Sequence, residues 1–450
     1  MKSRKKRDQY QQQFAFMDLE STLNPKMDLY QLSNQIPWES FEEWFSPLYS
    51  ENGRPAHPIR LMVSLLILKH LYDLGDETVV ATWIRDPYFQ YFSGEESFQW
   101  DFPCAPSDLV HFRKRIGETG VEKILKVSIQ IHGKEALEED IVIDTTVAEK
   151  KVSFPTDTKL HRKIIEQSRS IAEKYGINLR QSYTKTEKKL NQDLRFPNHP
   201  KNQPRVRKAR KKLKTIAGRL VRELLRKLPN EKPERLCDQL MIFGQILNQK
   251  RSDSDKIYSI HESQIYCISK GKEHKKYEFG TKVSLAMTRN SGVMIGALSF
   301  DTNQYDGATL QASLDQTKRL TGEFPKTATA DRGYRGNSIV GETKIIIPKT
   351  PKKDVTAYQK RKWRNWFARR AAIEPVIGHH KTDHRMNINY YSGTFGDRIN
   401  PMLAAAAFNF KKWMREKSLF IILLFQKTFF REFRDSTVEK SWFPLGKVAF

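Results

Sequence analysis

The chain has 450 residues and carries 78 Lys and Arg against 52 Asp and Glu, so its net charge is 78 − 52 = +26 and its pI is near 9.7. That length exceeds one ordinary core, so two or three domains are expected, and that charge opposes compaction unless a polyanion neutralises it, with nucleic acid the first candidate and an anionic membrane surface the second. The cysteines, Cys104, Cys237 and Cys267, are widely separated; they form no CxxC pair and no disulfide framework, which suits a reducing cytosol.

The first stretch, MKSRKKRDQYQQQ, is basic but lacks the apolar region of a signal peptide. Residues 1–37 are expected to be a mobile basic N-terminus. From 38 to 136 the pattern is helical. Leu61, Leu65, Leu68 and Tyr72 recur at helical spacing, a second helix covers Glu77 to Ile84, and a third begins at Ser107 as an N-cap. Leu109, Phe112 and Ile116 mark the buried face of that third helix, and Arg113, Lys114 and Arg115 lie around the opposite side. The expected product is a small helical domain whose basic face meets DNA or a second subunit; an ordinary solvated face is the plain alternative.

At 139 the period changes. Ile141, Val142 and Ile143 read as a buried parallel-type strand with the polar Asp144 at its end. Residues 155–255 then form a helical insertion. Its segment from Arg205 to Lys227 has an apolar stripe of Leu213, Ala217, Leu220 and Leu224, while Lys208, Lys211 and Lys212 are among the cations on the other faces. Such charge density is self-repelling without phosphates nearby, so DNA contact is expected there. Lys270, Lys272 and His274 could also meet a DNA backbone, and a structural use of Gly280 is equally open.

Two runs, Lys282 to Thr288 and Val293 to Phe300, flank Asn290-Ser291-Gly292 and read as a β-hairpin. A helix from about Ala308 to Leu320 follows, then a strand from Thr327 to Ala330 ending in Asp331, then a short strand from Lys344 to Pro348. Strand, hairpin, helix, strand, strand, helix matches an RNase H-like α/β core. The apolar run SLFIILLF at 418–425 is far shorter than the ~20 residues a bilayer-spanning helix needs. That run is expected to be a buried helix or a docking segment, not an anchor, within an apolar C-terminal tail over 418–450.

The chemistry concentrates in FARRAAIEPVIGHHK. At ~3.6 residues per turn, Arg370, Glu374 and Lys381 share one helix face, with Pro375 making the argument approximate. Two Asp at strand ends and one Glu on a later helix is the arrangement that two-metal phosphodiester chemistry needs. Taken singly, Asp144 and Asp331 read equally well as turn residues and Glu374 as an i,i+4 partner of Arg370. His380 and His384 have the spacing of a helical zinc site, but no glutamate follows the first and no third ligand is evident, so they are expected to face phosphate or solvent. Of Trp363, Trp366 and Phe367, Trp363 is the best candidate to stack on an unpaired base.

These residues resemble the DDE transposases of bacterial insertion sequences, in particular the subgroup with a Y-x2-R-x3-E-x6-K signature. Here the signature reads F-x2-R-x3-E-x6-K, with Phe367 in place of tyrosine. CISKGKEHKKYEFGTKV, DRGYRG and YSGTFGDRINPMLAAAAFNFKKW also resemble that family, and the likeness runs from about residue 40 to 415.

The resemblance implies an RNase H-like catalytic domain over 139–417, interrupted by the insertion, and a DNA-end-binding and dimerisation role for 38–136. It implies Asp144, Asp331 and Glu374 as catalytic, metal-holding acids, with Asp144 bridging two Mg²⁺ ions (Mn²⁺ a substitute). Arg370, Lys381, Arg335, Trp363, Lys208, Lys211, Lys212, Arg113 and Lys114 are the candidate DNA contacts. The implied activity is cutting at terminal inverted repeats and transfer of 3′ ends to target DNA, by a dimer or larger assembly on double-stranded DNA in a bacterial, nucleoid-associated cytoplasmic setting. An RNase H-like nuclease that does not join ends, and an inactive or domesticated DNA-binding protein, are the alternatives.

Overall fold

The computed structural model describes residues 18–53, 55–229, 231, 233–250, 252–269, 276–336, 338–348 and 356–438, apart from the side chains of 362 and 418–438. Helices α1 (Leu19–Thr22), α2 (Asp28–Gln35), α3 (Trp38–Phe45), α4 (Ile59–Leu71), α5 (Asp76–Trp83), α6 (Pro87–Phe92) and α7 (Pro106–Gln130) precede the first strand. α4 reads IRLMVSLLILKHL, apolar on nearly every face, and it is buried along almost its whole length. α6 is started by Asp86, whose side chain accepts the backbone N–H of Tyr88 and Phe89, with Pro87 preset for the first turn.

Two expectations change here. Leu29 and Leu32 of α2 are core residues, so this part of the expected mobile N-terminus is packed. α7 begins at Pro106, not behind a Ser107 cap; Asp108, three residues beyond Ala105, closes the first turn by accepting the Ala105 N–H at 2.9 Å.

The sheet is built on β1 (Asp140–Lys150). Helices α8 (Asp157–Lys174), α9 (Thr184–Asp193), α10 (Gln203–Lys227) and α11 (Glu234–Asn248) follow it, then β2 (Tyr266–Ser269), β3 (Tyr277–Thr288) and β4 (Met294–Phe300). After α12 (Leu310–Thr321) come β5 (Thr327–Thr329), β6 (Ile339–Val340), β7 (Thr343–Ile346), α13 (Ala357–Arg370), α14 (Ile373–Thr382), β8 (Ile388–Asn389) and α15 (Gly393–Val438). β3 runs antiparallel to β1, from Ile141 opposite Thr288 to Glu149 opposite Gly280. On the other edge of β1 lie two parallel neighbours, β5 beside Asp140–Val142 and β8 beside Glu149–Lys150. β7 is parallel to β5, β6 closes that edge antiparallel, and β4 pairs antiparallel with β3.

Gly280 has a clear structural duty: a Cβ built on it would stand 2.0 Å from the Ala148 carbonyl oxygen. Only glycine lets β3 approach β1 that closely.

One hydrophobic core runs from Leu29 through α3–α7, β1, β3–β5 and α12 to Met414 on α15. The N-terminal helices therefore share their core with the sheet. α15 holds the two parts together, packing on α2, α4, α7 and β4. Its Asn409 donates to Ser128 Oγ (3.1 Å) and to the Met294 carbonyl (2.8 Å), and it accepts the Met294 N–H (2.8 Å). Lys150, at the end of β1, is buried with Asp397 of α15 at 2.6 Å and Glu262 at 3.2 Å. Within 392–409, Asp397, Asn400 and Asn409 are thus buried polar residues of the packed interior.

Helices α8, α10 and α11 carry a second core. Leu160, Ile164, Leu213, Ala217, Leu220, Leu224 and Phe243 meet there, so the apolar stripe expected on α10 is its packed side. The apolar run at 418–425 falls on the helical continuation of α15, with side chains outside the described residues.

Candidate active site

Asp144 is the fifth residue of β1, and the Thr145 N–H donates to its Oδ1 at 2.8 Å. Asp331 follows β5 and caps the short turn Arg332–Tyr334, its Oδ1 accepting the Gly333 N–H at 2.7 Å. Val142 and Thr329 are paired in the parallel ladder, and each aspartate stands two residues further on. Asp144 is still within β1 at that point, while Asp331 lies just past the end of β5, so the two acids follow the same pair of adjacent parallel strands.

Both charges act on Tyr334. Its side chain is fully buried, lies close to Thr145, and receives no hydrogen bond of good geometry from the described residues. Burial, and then the charges of Asp144, Asp306 and Asp331, push its phenol well above the ordinary tyrosine value. Asp306, which the sequence reading did not single out, joins the two expected acids. Its Oδ1 accepts Lys282 Nζ at 2.9 Å and Thr145 Oγ1 at 3.0 Å. A Cβ on Gly333 would lie 2.9 Å from Asp331 Oδ1 and 3.1 Å from Asp306 Oδ2, so the two carboxylates converge on that glycine.

Glu374 is the second residue of α14, a helix anchored on β1 and started by the fully buried Ile373. Its side chain is 66% exposed and its ion pair is with Arg370, Nη2 to Oε1 3.9 Å. The single-helix expectation fails here. Pro375 has no N–H and its ring would strike the carbonyl four residues back in a continuous helix. α13 therefore stops at Arg370, and short i,i+3 bonds from Ala371, Ala372 and Glu374 carry the chain into α14. Pro375 is acceptable where it stands, in the first turn of the new helix.

A divalent ion of the Mg²⁺ type takes oxygen ligands. Asp144, Asp306 and Asp331 around one orphaned phenol form an all-oxygen donor set of that kind, and α14 carries Glu374 as a further carboxylate.

The description "Transposase DDE domain" matches residues 250–410, and "Transposase domain (DUF772)" matches 17–115. The Rhizobium meliloti protein described as "Uncharacterized protein ORF8 in nfe locus" is 42% identical over 177 residues, which is 38% of this chain and 85% of that protein. The chain belongs to the DDE transposases of insertion sequences. No solved structure matches it. Asp331 and Glu374 of the transposase lie inside the matched DDE stretch, while Asp144 and helices α8–α11 fall between the two matched stretches.

The remaining expected residues of the transposase separate by burial. Lys114 on α7, Lys208, Lys211 and Lys212 on α10, and Arg335 after the Asp331 turn are exposed. Trp363 is 44% exposed and touches the Phe367 ring. Trp366 points back to the sheet instead: its indole N–H donates to Thr329 Oγ1 at 3.1 Å, and the Arg289 guanidinium lies 3.4 Å over its ring. Lys381 is half-buried near the end of α14. Lys270, Lys272 and His274 lie outside the described residues.

Arg113 departs from expectation. It is buried, donates to both oxygens of Asp76 at 2.8 Å, and stacks on the Tyr391 ring. Burial opposes ionisation of Asp76, but the hydrogen bonds and charges of Arg113 and Lys69 outweigh it and hold the carboxyl at about 2. In a run of Arg-Lys-Arg on a helix, nothing local says which cation turns inward; the acid that claims it comes from another helix.

His380 and His384 are also inside rather than facing phosphate or solvent. His380 Nδ1 bonds the Val376 carbonyl at 2.8 Å, and His384 Nδ1 bonds the His70 carbonyl at 3.0 Å. Burial depresses both imidazoles, that of His380 to about 3. A separate trio, His132, Glu135 and Glu416, brings its ligand atoms within 4.8 Å of one another among the described residues. There His132 Nε2 bonds the Asn409 carbonyl and Glu416 pairs with Lys412.

Proposed function

We propose that this transposase has an RNase H-like catalytic domain over 139–417, binds the terminal inverted repeats of its element, hydrolyses phosphodiester bonds at the ends, and joins the freed 3′-hydroxyls to target DNA. The observation that carries the reading is the placement of Asp144 and Asp331, each two residues beyond the paired Val142 and Thr329 of adjacent parallel strands. The sheet order supports it: an antiparallel hairpin, β3 with β4, on one side of β1 and two parallel strands, β5 and β7, on the other.

In this reading Asp144, Asp331 and Glu374 are the metal-holding acids. They would hold Mg²⁺, with Mn²⁺ as a substitute, which would supply charge neutralisation at the scissile phosphate and activation of water or a 3′-hydroxyl. The protein's own part is orientation. Gly333 N–H fixes one oxygen of Asp331 and Thr145 N–H one oxygen of Asp144, which limits the rotation of both carboxylates. Arg370, a planar fork, and Lys381, a point charge, hold phosphates beside the cut. Arg335 and Trp363 meet the DNA end, the ring stacking on an unpaired base.

The basic insertion supplies backbone contacts. Lys208, Lys211 and Lys212 are solvent-facing on a helix whose opposite stripe is already packed. The helical region 38–136, with Lys114 exposed, serves end binding and pairing of two subunits.

Strand transfer is tested with a duplex whose element end already carries a free 3′-hydroxyl, incubated with supercoiled plasmid and Mg²⁺. Joined products are expected. Cutting of uncut ends without any joining places the chain with the plain nucleases; end binding with neither activity places it with inactive DNA-binding proteins.

A further inference from the structure

We propose that Asp306 is a fourth acidic residue of the metal pocket, aimed into it by Lys282 and Thr145. The proposal rests on reading Asp144 and Asp331 as metal ligands. Asp306 begins the short turn Asp306–Thr309 after the hairpin, and Thr309 Oγ1 bonds back to its carbonyl at 2.6 Å. One carboxylate oxygen is committed, since Oδ1 accepts both Lys282 Nζ and Thr145 Oγ1. The other, Oδ2, faces Gly333, the residue whose N–H holds Asp331.

The chain treats this carboxylate as more than the partner of a lysine. Lys282 is itself nearly buried, and its ammonium is held by the Gln304 carbonyl at 2.6 Å as well as by Asp306. Thr145 is the residue next to Asp144, so the same short segment fixes both acids. Asp144, Asp306 and Asp331 together act on the fully buried Tyr334 hydroxyl, which receives no hydrogen bond of good geometry from the described residues. A buried hydroxyl without a hydrogen-bond partner beside three carboxylates is costly. A water held by a cation would supply that partner. The committed oxygen fixes the carboxylate plane, and the second oxygen is left to bind the ion or a water on it.

Mn²⁺ binding to the full chain, measured by isothermal titration without DNA, tests this in wild type, Asp331→Asn, Asp306→Asn and Lys282→Met/Asp306→Asn. Thermal melts in metal-free buffer check the fold of each. Asp306→Asn is expected to bind ~10–100-fold more weakly than wild type while melting near the wild-type temperature. The double variant should stay weak, because removing the lysine does not restore a ligand. Wild-type affinity in Asp306→Asn, or recovery of that affinity in the double variant, overturns the role of Asp306 alone, provided Asp331→Asn has lost binding. Absence of binding in wild type, or wild-type binding in Asp331→Asn, overturns the underlying reading of the acids and this proposal with it. Should Asp306→Asn fail to melt cooperatively, Asp306→Glu takes its place. It keeps the charge but displaces the carboxylate by one methylene, and weakened binding is again expected; unchanged binding contradicts the proposal.

Discussion

Asp144 within β1 and Asp331 just past β5 each lie two residues beyond the paired Val142 and Thr329 of these adjacent parallel strands. Their carboxylates act on one buried hydroxyl, that of Tyr334. Like charges that act on the same buried group repel each other, and in the proposed function a bound cation would offset that repulsion.

Gly333 is where this arrangement is least tolerant. A methyl there would press on Asp331 Oδ1 at 2.9 Å and on Asp306 Oδ2 at 3.1 Å. Gly333→Ala is expected to lower end cutting by ~10-fold or more, the rate equivalent of about 1.4 kcal/mol, with little loss of secondary structure. Cleavage rate and circular dichroism on the same preparation check it. Unchanged cleavage would mean the carboxylates have room to move.

Gly280 should matter for stability instead. Gly280→Ala puts a Cβ 2.0 Å from the Ala148 carbonyl oxygen, so the central β1–β3 pairing must shift. Overpacking of this kind costs about 1–3 kcal/mol or more. Urea unfolding is the measurement, and a midpoint equal to wild type would contradict the close approach.

The cations divide into two groups with different readouts. Lys208→Ala/Lys211→Ala/Lys212→Ala is expected to weaken DNA binding and flatten the salt dependence by ~2–3 units of slope, about 0.9 for each phosphate that is no longer neutralised. Arg113→Met should leave that slope unchanged and instead destabilise the fold by roughly 3 kcal/mol, because Asp76 loses its two-pronged partner. Binding isotherms at several salt concentrations, paired with unfolding curves, separate the two.

The buried histidines predict acid lability. His380 is depressed to about 3, and His70 and His384 are depressed as well, all by burial first. Between the unfolded value of ~6.5 and those folded values, the unfolded chain binds protons that the folded chain refuses. Stability should therefore be level above pH 6.5 and fall by on the order of a few kcal/mol as pH drops toward 4. Asp76, held at about 2, adds a further loss below pH 4. Unfolding curves from pH 8 to 4 test this; a flat profile would contradict the burial of these imidazoles.

Much of the fold was legible because its signals are local. The apolar run Ile141–Ile143 falls in β1 and Thr327–Thr329 is β5, the hairpin is marked by Asn290-Ser291-Gly292, and α10 carries a regular apolar stripe; the strand expected to end at Asp144 instead continues to Lys150, held by its pairing with β3. The helix break before Glu374 was half legible, since Pro375 warned of it but did not say where α13 would stop.

What escaped depends on pairings between distant segments. Asp306 is a lone aspartate in a loop, and its importance comes from Lys282 on β3 and Thr145 on β1, 24 and 161 residues away. Arg113 looked like a surface cation until Asp76, 37 residues earlier, claimed it. His384 and His70 exchange ring-to-carbonyl bonds across 314 residues. No periodicity or spacing rule encodes pairs of that kind.

The most direct test of the central claim is cleavage of a plasmid carrying the element's own flanking DNA, comparing wild type with Asp331→Asn in Mg²⁺ and in Ca²⁺. Cuts confined to the flanks are expected in Mg²⁺, none in Ca²⁺, and the variant should lose about 3 kcal/mol or more of transition-state stabilisation, which is a ~100-fold or larger fall in rate. Flank cutting by Asp331→Asn at the wild-type rate, from a folded protein, would contradict it.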